Sequence, residues 1–189
     1  MKKVVKFGGS SLASAEQFMK VGAIIRADES RRYVVPSAPG KRFSDDTKVT
    51  DMLYHCYELA EQSKAFNKQL NQIKDRYNEI INGLKLDFSL DEDFEIIKKQ
   101  FVAKAGSMYA ASRGEYLNGK IMAKYLGYEF VDAANVIRFN KDGSFDSETT
   151  NELLATYLDK IERAVIPGFY GAMKNGTVVT FSRGGSDIT

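Results

Sequence analysis

One cysteine, Cys56, stands in 189 residues, so no disulfide can form within the chain, and a reducing compartment, the cytoplasm, is expected. Histidine is equally scarce. His55 and Cys56 adjoin on one predicted helix with no partner at metal-ligand spacing, so both read as structural and no protein-held metal is expected. No stretch approaches the ~20 apolar residues of a membrane span. Met1-Lys2-Lys3 leads into a strand too short for the core of a signal peptide. Charge of one sign is not in excess: 27 basic and 25 acidic residues are interspersed, the formal net charge is +2, and neither a nucleic acid nor a membrane partner is implied. There is no internal repeat and no low-complexity segment. The spacings of a Walker A loop and of a dinucleotide-binding Gly-x-Gly-x-x-Gly are also missing. With 43% hydrophobic residues, the chain can still bury a sizeable core as one domain.

What is present is a pair of glycine-rich corners at opposite ends of the chain. Val4-Val5 runs into Lys6-Phe7-Gly8-Gly9-Ser10-Ser11, and Val178-Val179-Thr180 runs into Ser182-Arg183-Gly184-Gly185-Ser186-Asp187. A strand that stops at Gly-Gly followed by serine suits a close backbone approach and a helix start, which presents bare N–H groups to an anion. Lys6 adds a point charge to the first corner and Arg183 a planar fork to the second. Gly-Gly alone is commonly a tight turn; the shared strand, cation and serine context is what favours phosphate.

Between the corners, strands alternate with helices, the pattern of an α/β layer fold. A strand over 2–7 precedes a helix from about Ser14, where Ser14 and Gln17 have capping-box spacing and Phe18, Val21, Ile24 and Ile25 form an apolar face. A strand over 33–37 follows, with Pro36 indicating an end or an edge. Residues from Thr50 to about Lys104 read as a helical excursion, striped by Phe66, Leu70, Ile73, Tyr77, Ile80 and Leu84, with Ser89 and Glu92 capping its return helix. The stripe suits a face packed within the subunit, with an oligomer seam as the rival. A helix is expected from near Ser112 to Gly127, strands over 128–131 and 136–139, and an amphipathic helix over 147–161 carrying Leu153, Leu154, Tyr157, Leu158 and Ile161. A buried strand over 164–167 and a hairpin turn at Lys174-Asn175-Gly176 before a strand over 177–181 complete the pattern.

Four segments in this order, Lys6-Phe7-Gly8-Gly9-Ser10-Ser11, Ser37-Ala38-Pro39-Gly40-Lys41 with Lys48-Val49-Thr50-Asp51-Met52-Leu53, Ser112-Arg113-Gly114-Glu115, and Arg183-Gly184-Gly185-Ser186-Asp187, resemble the amino-acid kinase family and, within it, the aspartate kinases. The resemblance runs the length of the chain. It implies a three-layer αβα sandwich on a mainly parallel sheet, with residues 1–189 forming the amino-acid-binding part of the catalytic domain. It also implies that the remaining nucleotide-binding part and regulatory domains of the ACT type lie beyond Thr189, so a truncated chain and a sheet incomplete at its C-terminal end are expected. The substrates implied are L-aspartate and ATP, with Mg²⁺ accompanying ATP, and the full-length protein is expected to be a homo-oligomer.

The same resemblance assigns roles. Lys6 and Asp187 would be catalytic. Lys6, Gly8, Gly9, Ser10, Gly184, Gly185 and Ser186 would hold phosphate. Glu115 would bind the substrate amine and Arg183 its α-carboxylate, while Ser37 and Thr50 would line the aspartate pocket. This suits the chemistry, because a carboxylate acceptor, ionised well above ~3.9, needs no general base. Catalysis then reduces to positioning two anions and neutralising charge. Blander roles stay open for each residue: a first-turn helix acid for Glu115, a surface ion pair for Arg183, turn and cap positions for Ser37 and Thr50, and a snorkelling strand end for Lys6. Ser182 stands where relatives usually have glycine, and residues 42–47 lengthen the loop before Thr50.

Overall fold

The computed structural model describes residues 2–181. The second glycine corner, with Arg183, Gly184, Gly185, Ser186 and Asp187, lies outside the described residues. Strand β1 (Lys3–Phe7) pairs in parallel with β2 (Arg31–Pro36), Val5 opposite Val34 and Phe7 opposite Pro36. Strand β5 (Ala164–Val165) flanks β2 on its other side and β3 (Glu129–Phe130) lies beyond, so the sheet order is β1-β2-β5-β3, all parallel. Of the two positions open to Pro36, the structure uses the end. The missing N–H falls at the last residue of a central strand, and the ladder resumes one residue on, where the Ser37 N–H donates to the Phe7 carbonyl at 3.0 Å.

Successive residues of the central strands feed opposite faces of the sheet. Val34 and Val165 enter one core, Tyr33, Ala164 and Ile166 the other. The first core is filled by α1 (Ala15–Arg26), α2 (Val49–Glu61), α3 (Asn67–Gly83), α4 (Asp91–Val102) and α5 (Ser107–Leu126). The second is covered by α6 (Ala133–Val136), the half-buried flank of α7 (Ser147–Asp159), and a small sheet ordered β4-β6-β7. In that sheet β4 (Arg138–Phe139) runs parallel to β6 (Tyr170–Met173), which turns back through Gly176, φ 85°, into β7 (Val178–Thr180). The fold is α/β, mainly parallel and covered on both faces.

The excursion is three helices, and its stripe packs inward: Phe66, Leu70, Ile73, Tyr77 and Ile80 are buried in the first core and Leu84 lies against it. Several local expectations shift. The Ser14 hydroxyl accepts from the Gln17 N–H at 3.4 Å and caps α1, but Ile24 is exposed; the buried face is Phe18, Val21, Gly22 and Ile25. Gly22 sits there because a Cβ would stand 2.5 Å from the Tyr125 ring. Ser89 accepts from the Asp91 N–H at 3.0 Å, one residue ahead of the N-cap, which is Leu90. On α7, which ends at Asp159, Leu153, Leu154 and Leu158 are only half-buried and Tyr157 is exposed, and the half-buried Ile161 lies past its end. Residues 136–137 end a helical turn rather than begin a strand.

The largest displacement concerns α5, which starts at Ser107 after Gly106, φ 102°, more than a turn before Ser112. The Ser112 hydroxyl donates to the Tyr109 carbonyl at 2.7 Å, so it is satisfied inside the helix and is not a cap. The other end is as expected, with Gly127 in the left-handed conformation at φ 72°. Strand β6 has no strand signature in the sequence because Gly171 interrupts its pattern; a Cβ there would lie 2.5 Å from the Ile137 carbonyl oxygen, where the small sheet meets α6.

Candidate active site

Two loops leave the carboxyl ends of adjacent parallel strands, Gly8 to Ser10 after β1 and Ser37 to Gly40 after β2, the position where α/β sheets generally hold ligands. They cross in contact. The Gly40 N–H donates to the Gly9 carbonyl at 2.8 Å, and a Cβ on either glycine would meet backbone at 2.7 Å: the Ala38 oxygen for Gly9, the Gly9 carbon for Gly40. Both residues must therefore be glycine. Gly8 differs, with an ordinary φ of −75° and no atom within 4 Å of an added Cβ. Neither conformation nor packing demands glycine there, so the backbone face at Gly8 is open to something outside the fold.

Helix α5 closes the site from below. Gly114 brings it within van der Waals reach of the second loop, since a Cβ would lie 2.8 Å from that of Ala38. The Tyr77 hydroxyl, buried on α3, donates to the Gly114 carbonyl at 2.7 Å. The next residue, Glu115, is buried in mid-helix, which removes the first-turn reading. Burial pushes its carboxyl up to about 7, against a partial opposing effect of the Ala38 backbone hydrogen bond, its own backbone hydrogen bond and the Arg113 charge. Its Oε2 has no hydrogen-bond partner. Three residues on, hence on the same helix face, Asn118 donates from Nδ2 to the Ser37 carbonyl at 2.7 Å, while its Oδ1 is unpartnered. Asn118 escaped the sequence reading; its spacing from Glu115 was the available signal.

These elements enclose a cleft of about 420 Å³ lined by Gly9, Ser10, Ser37, Lys41, Thr50 and Glu115, among others, with Lys48 also on its wall. Thus five of the expected residues, Gly9, Ser10, Ser37, Thr50 and Glu115, converge. Thr50 is in the first turn of α2 and Lys48 is the N-cap, without a side-chain bond, so Thr50 is not the cap. Gly8 and Lys6 are not on the cleft wall; Lys6 is exposed on β1 opposite Val35. Two lysines, Lys41 and Lys48, join the wall unforeseen. Arg113 turns elsewhere: its guanidinium donates to the Ser112 hydroxyl at 2.9 and 3.0 Å and lies 4.4 to 5.3 Å from the Tyr109, Tyr116 and Tyr170 rings. Among the described residues, no three His, Cys, Asp or Glu side chains gather to hold a metal, and no helix is long and apolar enough to cross a membrane. Cys56 is buried and free, and His55 faces Glu58 at 3.8 Å on the surface.

The cleft therefore holds a desolvated carboxyl group with an open oxygen on a wall that also carries two exposed lysines, and the Lys41 ammonium donates to the Ser44 carbonyl at 3.1 Å. The chain was then compared with known proteins. The chain is 36% identical to aspartokinase 3 of Bacillus subtilis over 99% of its own length and 44% of that protein's. It is 30% identical to the chloroplastic aspartokinase 1 of Arabidopsis thaliana, covering 98% of this chain and 36% of the relative. The crystal structure of aspartate kinase from Clostridium acetobutylicum superposes with a TM-score of 0.95 at 50% identity, over all of this chain and 44% of that one. Escherichia coli aspartokinase III in complex with aspartate and ADP shares the fold, with a TM-score of 0.80 at 23% identity over 99% of this chain and 45% of that one. The chain spans less than half the length of these relatives. The model of the amino acid kinase family matches residues 1–189, end to end, and the chain belongs to that family.

Proposed function

We propose that the chain is the amino-acid-binding part of an aspartate kinase, which transfers the γ-phosphoryl group of ATP to the side-chain carboxylate of L-aspartate, giving ADP and 4-phospho-L-aspartate. The observation that carries the reading is the open Oε2 of Glu115, a buried carboxylate oxygen in the wall of a cleft. Leaving a buried acceptor unpaired costs ~1–3 kcal/mol, more when it is charged, and a substrate ammonium would remove that cost. The product's place is the first step of the aspartate-derived amino acids lysine, threonine and methionine. Aspartate and ADP are bound by the E. coli protein of this fold.

In this reading Glu115 takes the ammonium, Arg183 forks onto the α-carboxylate, and Ser37 and Thr50 flank the side chain. Asn118 holds the Ser37 carbonyl and so sets that wall. The open backbone at Gly8, with Gly9, Ser10, Gly184, Gly185 and Ser186, receives phosphate, and Lys6, kept in line by Asp187, neutralises charge on the transferring group. No proton need be moved, because the acceptor is already ionised. Mg²⁺ would come with ATP and neutralise phosphate charge. The protein acts in the cytoplasm as a homo-oligomer that continues beyond Thr189 into the nucleotide-binding and ACT regions, with neither nucleic acid nor membrane as a partner.

Two other readings are tested with it: a module that binds aspartate without turnover, and a kinase for another carboxylate such as glutamate. The assay is acyl-phosphate formation, trapped as the hydroxamate, from Mg-ATP with aspartate or glutamate, on this chain and on one extended through its natural C-terminus. Product from aspartate in the extended protein, lost in Lys6→Ala and Glu115→Ala, supports the kinase. Product from glutamate alone moves the substrate. No product from a folded extended protein leaves the binding module.

A further inference from the structure

A buried arginine of the helical excursion reaches the loop that forms one wall of the cleft. Arg76, on α3, is 4% exposed, an unusual place for a guanidinium. Its Nη1 donates to the Thr47 carbonyl at 3.1 Å and pairs with the Asp46 carboxylate at 3.0 Å; its Nη2 donates to the Gly40 carbonyl at 3.0 Å. One planar group thus grips both ends of the 40–47 loop. Gly40 is also the residue whose N–H holds the Gly9 carbonyl, so the grip passes through a single residue to the first glycine corner. Asp46 is nearly as buried and is held a second time by Arg42, whose Nε and backbone N–H each donate to it at 2.9 Å; Arg42 then reaches Glu79 on α3 at 2.6 Å. The Arg42 hydrogen bond, foremost, keeps the Asp46 carboxyl well below the usual carboxylate range, so the anchor remains ionised across the physiological range.

The geometry points to Arg76 as a positioning residue: it fixes the loop whose Gly40, Lys41 and following Lys48 form one wall of the amino-acid cleft, and so sets the affinity for the amino acid from outside the cleft. This rests on the proposed amino-acid site and extends it to a residue that no cleft contact would single out. A buried ion pair is seldom worth more to stability than apolar side chains of the same volume. Here the guanidinium also satisfies two carbonyls that an apolar side chain could not. Lysine has the charge but lacks the fork that reaches three acceptors at once.

The test uses the full-length gene product and compares Arg76→Lys, Arg76→Met and the apolar pair Arg76→Met/Asp46→Leu with the parent. Aspartate affinity is read by calorimetry and loop order by amide hydrogen exchange over 40–48, which requires no ligand. All three variants are expected to exchange the loop amides at least tenfold faster and to bind aspartate at least tenfold more weakly. Stability separates positioning from packing. The apolar pair is expected to regain part of the melting temperature lost in Arg76→Met, the part due to an unpaired Asp46, without regaining affinity. Arg76→Lys with parental exchange and parental affinity would overturn the inference, as would an apolar pair that recovers affinity along with stability. If the parent itself does not bind aspartate, the substrate reading fails. Loop exchange then decides the anchor alone: unchanged protection in Arg76→Lys overturns it, and lost protection upholds it.

Discussion

Replacing Glu115 by glutamine should make the protein's stability less sensitive to pH while removing amino-acid binding. Glutamine conserves the shape and the acceptor for the Ala38 N–H but cannot ionise. In the parent, burial raises the Glu115 carboxyl from an ordinary 4.5 to about 7. Below about pH 4.5 both folded and unfolded chains carry the proton and the group contributes no difference. As pH rises the unfolded chain loses its proton first, so stability falls until the folded carboxyl ionises near pH 7, and above that the loss is complete. At ~1.4 kcal/mol per pH unit, the ionisation penalty in the folded state amounts to about 3 kcal/mol by pH 8. Glutamine carries a cost of its own, since its amide would face the cleft unpaired, at ~1–3 kcal/mol. That cost is independent of pH, so the difference between the two proteins is what isolates Glu115.

Chemical denaturation of parent and Glu115→Gln at pH 4.5, 6, 7 and 8 checks this. The stability difference, variant minus parent, should rise by about 3 kcal/mol across the range, or roughly 6–12 °C in melting temperature for a domain of this size. A difference that stays flat with pH would refute the reasoning, because it would mean that Glu115 is solvated or paired in the folded state. Aspartate supplies a second readout. A substrate ammonium on Glu115 favours the carboxylate, so binding near pH 7 should release part of a proton, seen as a calorimetric heat that depends on the buffer's ionisation enthalpy. Glu115→Gln should show no such release.

The glycines of the crossing make opposite predictions. Gly40→Ala places a Cβ 2.7 Å from the Gly9 backbone and should cost ~2 kcal/mol or more in denaturant melts. Gly8→Ala meets nothing within 4 Å and should leave stability unchanged or up to ~1 kcal/mol higher, while raising the KM for ATP at least tenfold. Asn118→Ala releases the Ser37 carbonyl and should cost ~1–3 kcal/mol and weaken aspartate binding more than ATP binding, measured as separate KM values. Burial pushes the Cys56 thiol up to about 12, so a disulfide reagent should leave the native chain unmodified at pH 8 and react once it is unfolded.

The layer pattern was legible because strands and helices of this chain follow their own periodicities where burial is one-sided. The α3 stripe is an example: its positions at alternating intervals of three and four pack inward, joined by Arg76 and Ile81. Legibility failed where a neighbour, not the local pattern, decides the residue. Gly171 conceals β6 because Ile137 crowds it, and Gly22 takes a core position on α1 because Tyr125 lies across it. Ser112 looks like a helix start but is a buried hydroxyl bonded to the preceding turn.

The site shows the same division at closer range. A sequence can display which residue types stand at a strand end, and Gly9, Ser10, Ser37, Thr50 and Glu115 do meet around one cleft. It does not display the state of a charge. Glu115 is chemically distinctive because α5 buries it with one oxygen unpartnered, and α5 comes close enough to do so only because Gly114 has no side chain to collide with Ala38. Helix α5 in turn is held by Tyr77 of the excursion, the same helix whose Arg76 fixes the opposite loop. Helix α3, which lines no part of the cleft, thus grips it from two sides. Its apolar stripe and its two polar anchors act as one device, in which the stripe places α3 and the anchors transmit that placement to the loop and to the helix that carries the carboxylate.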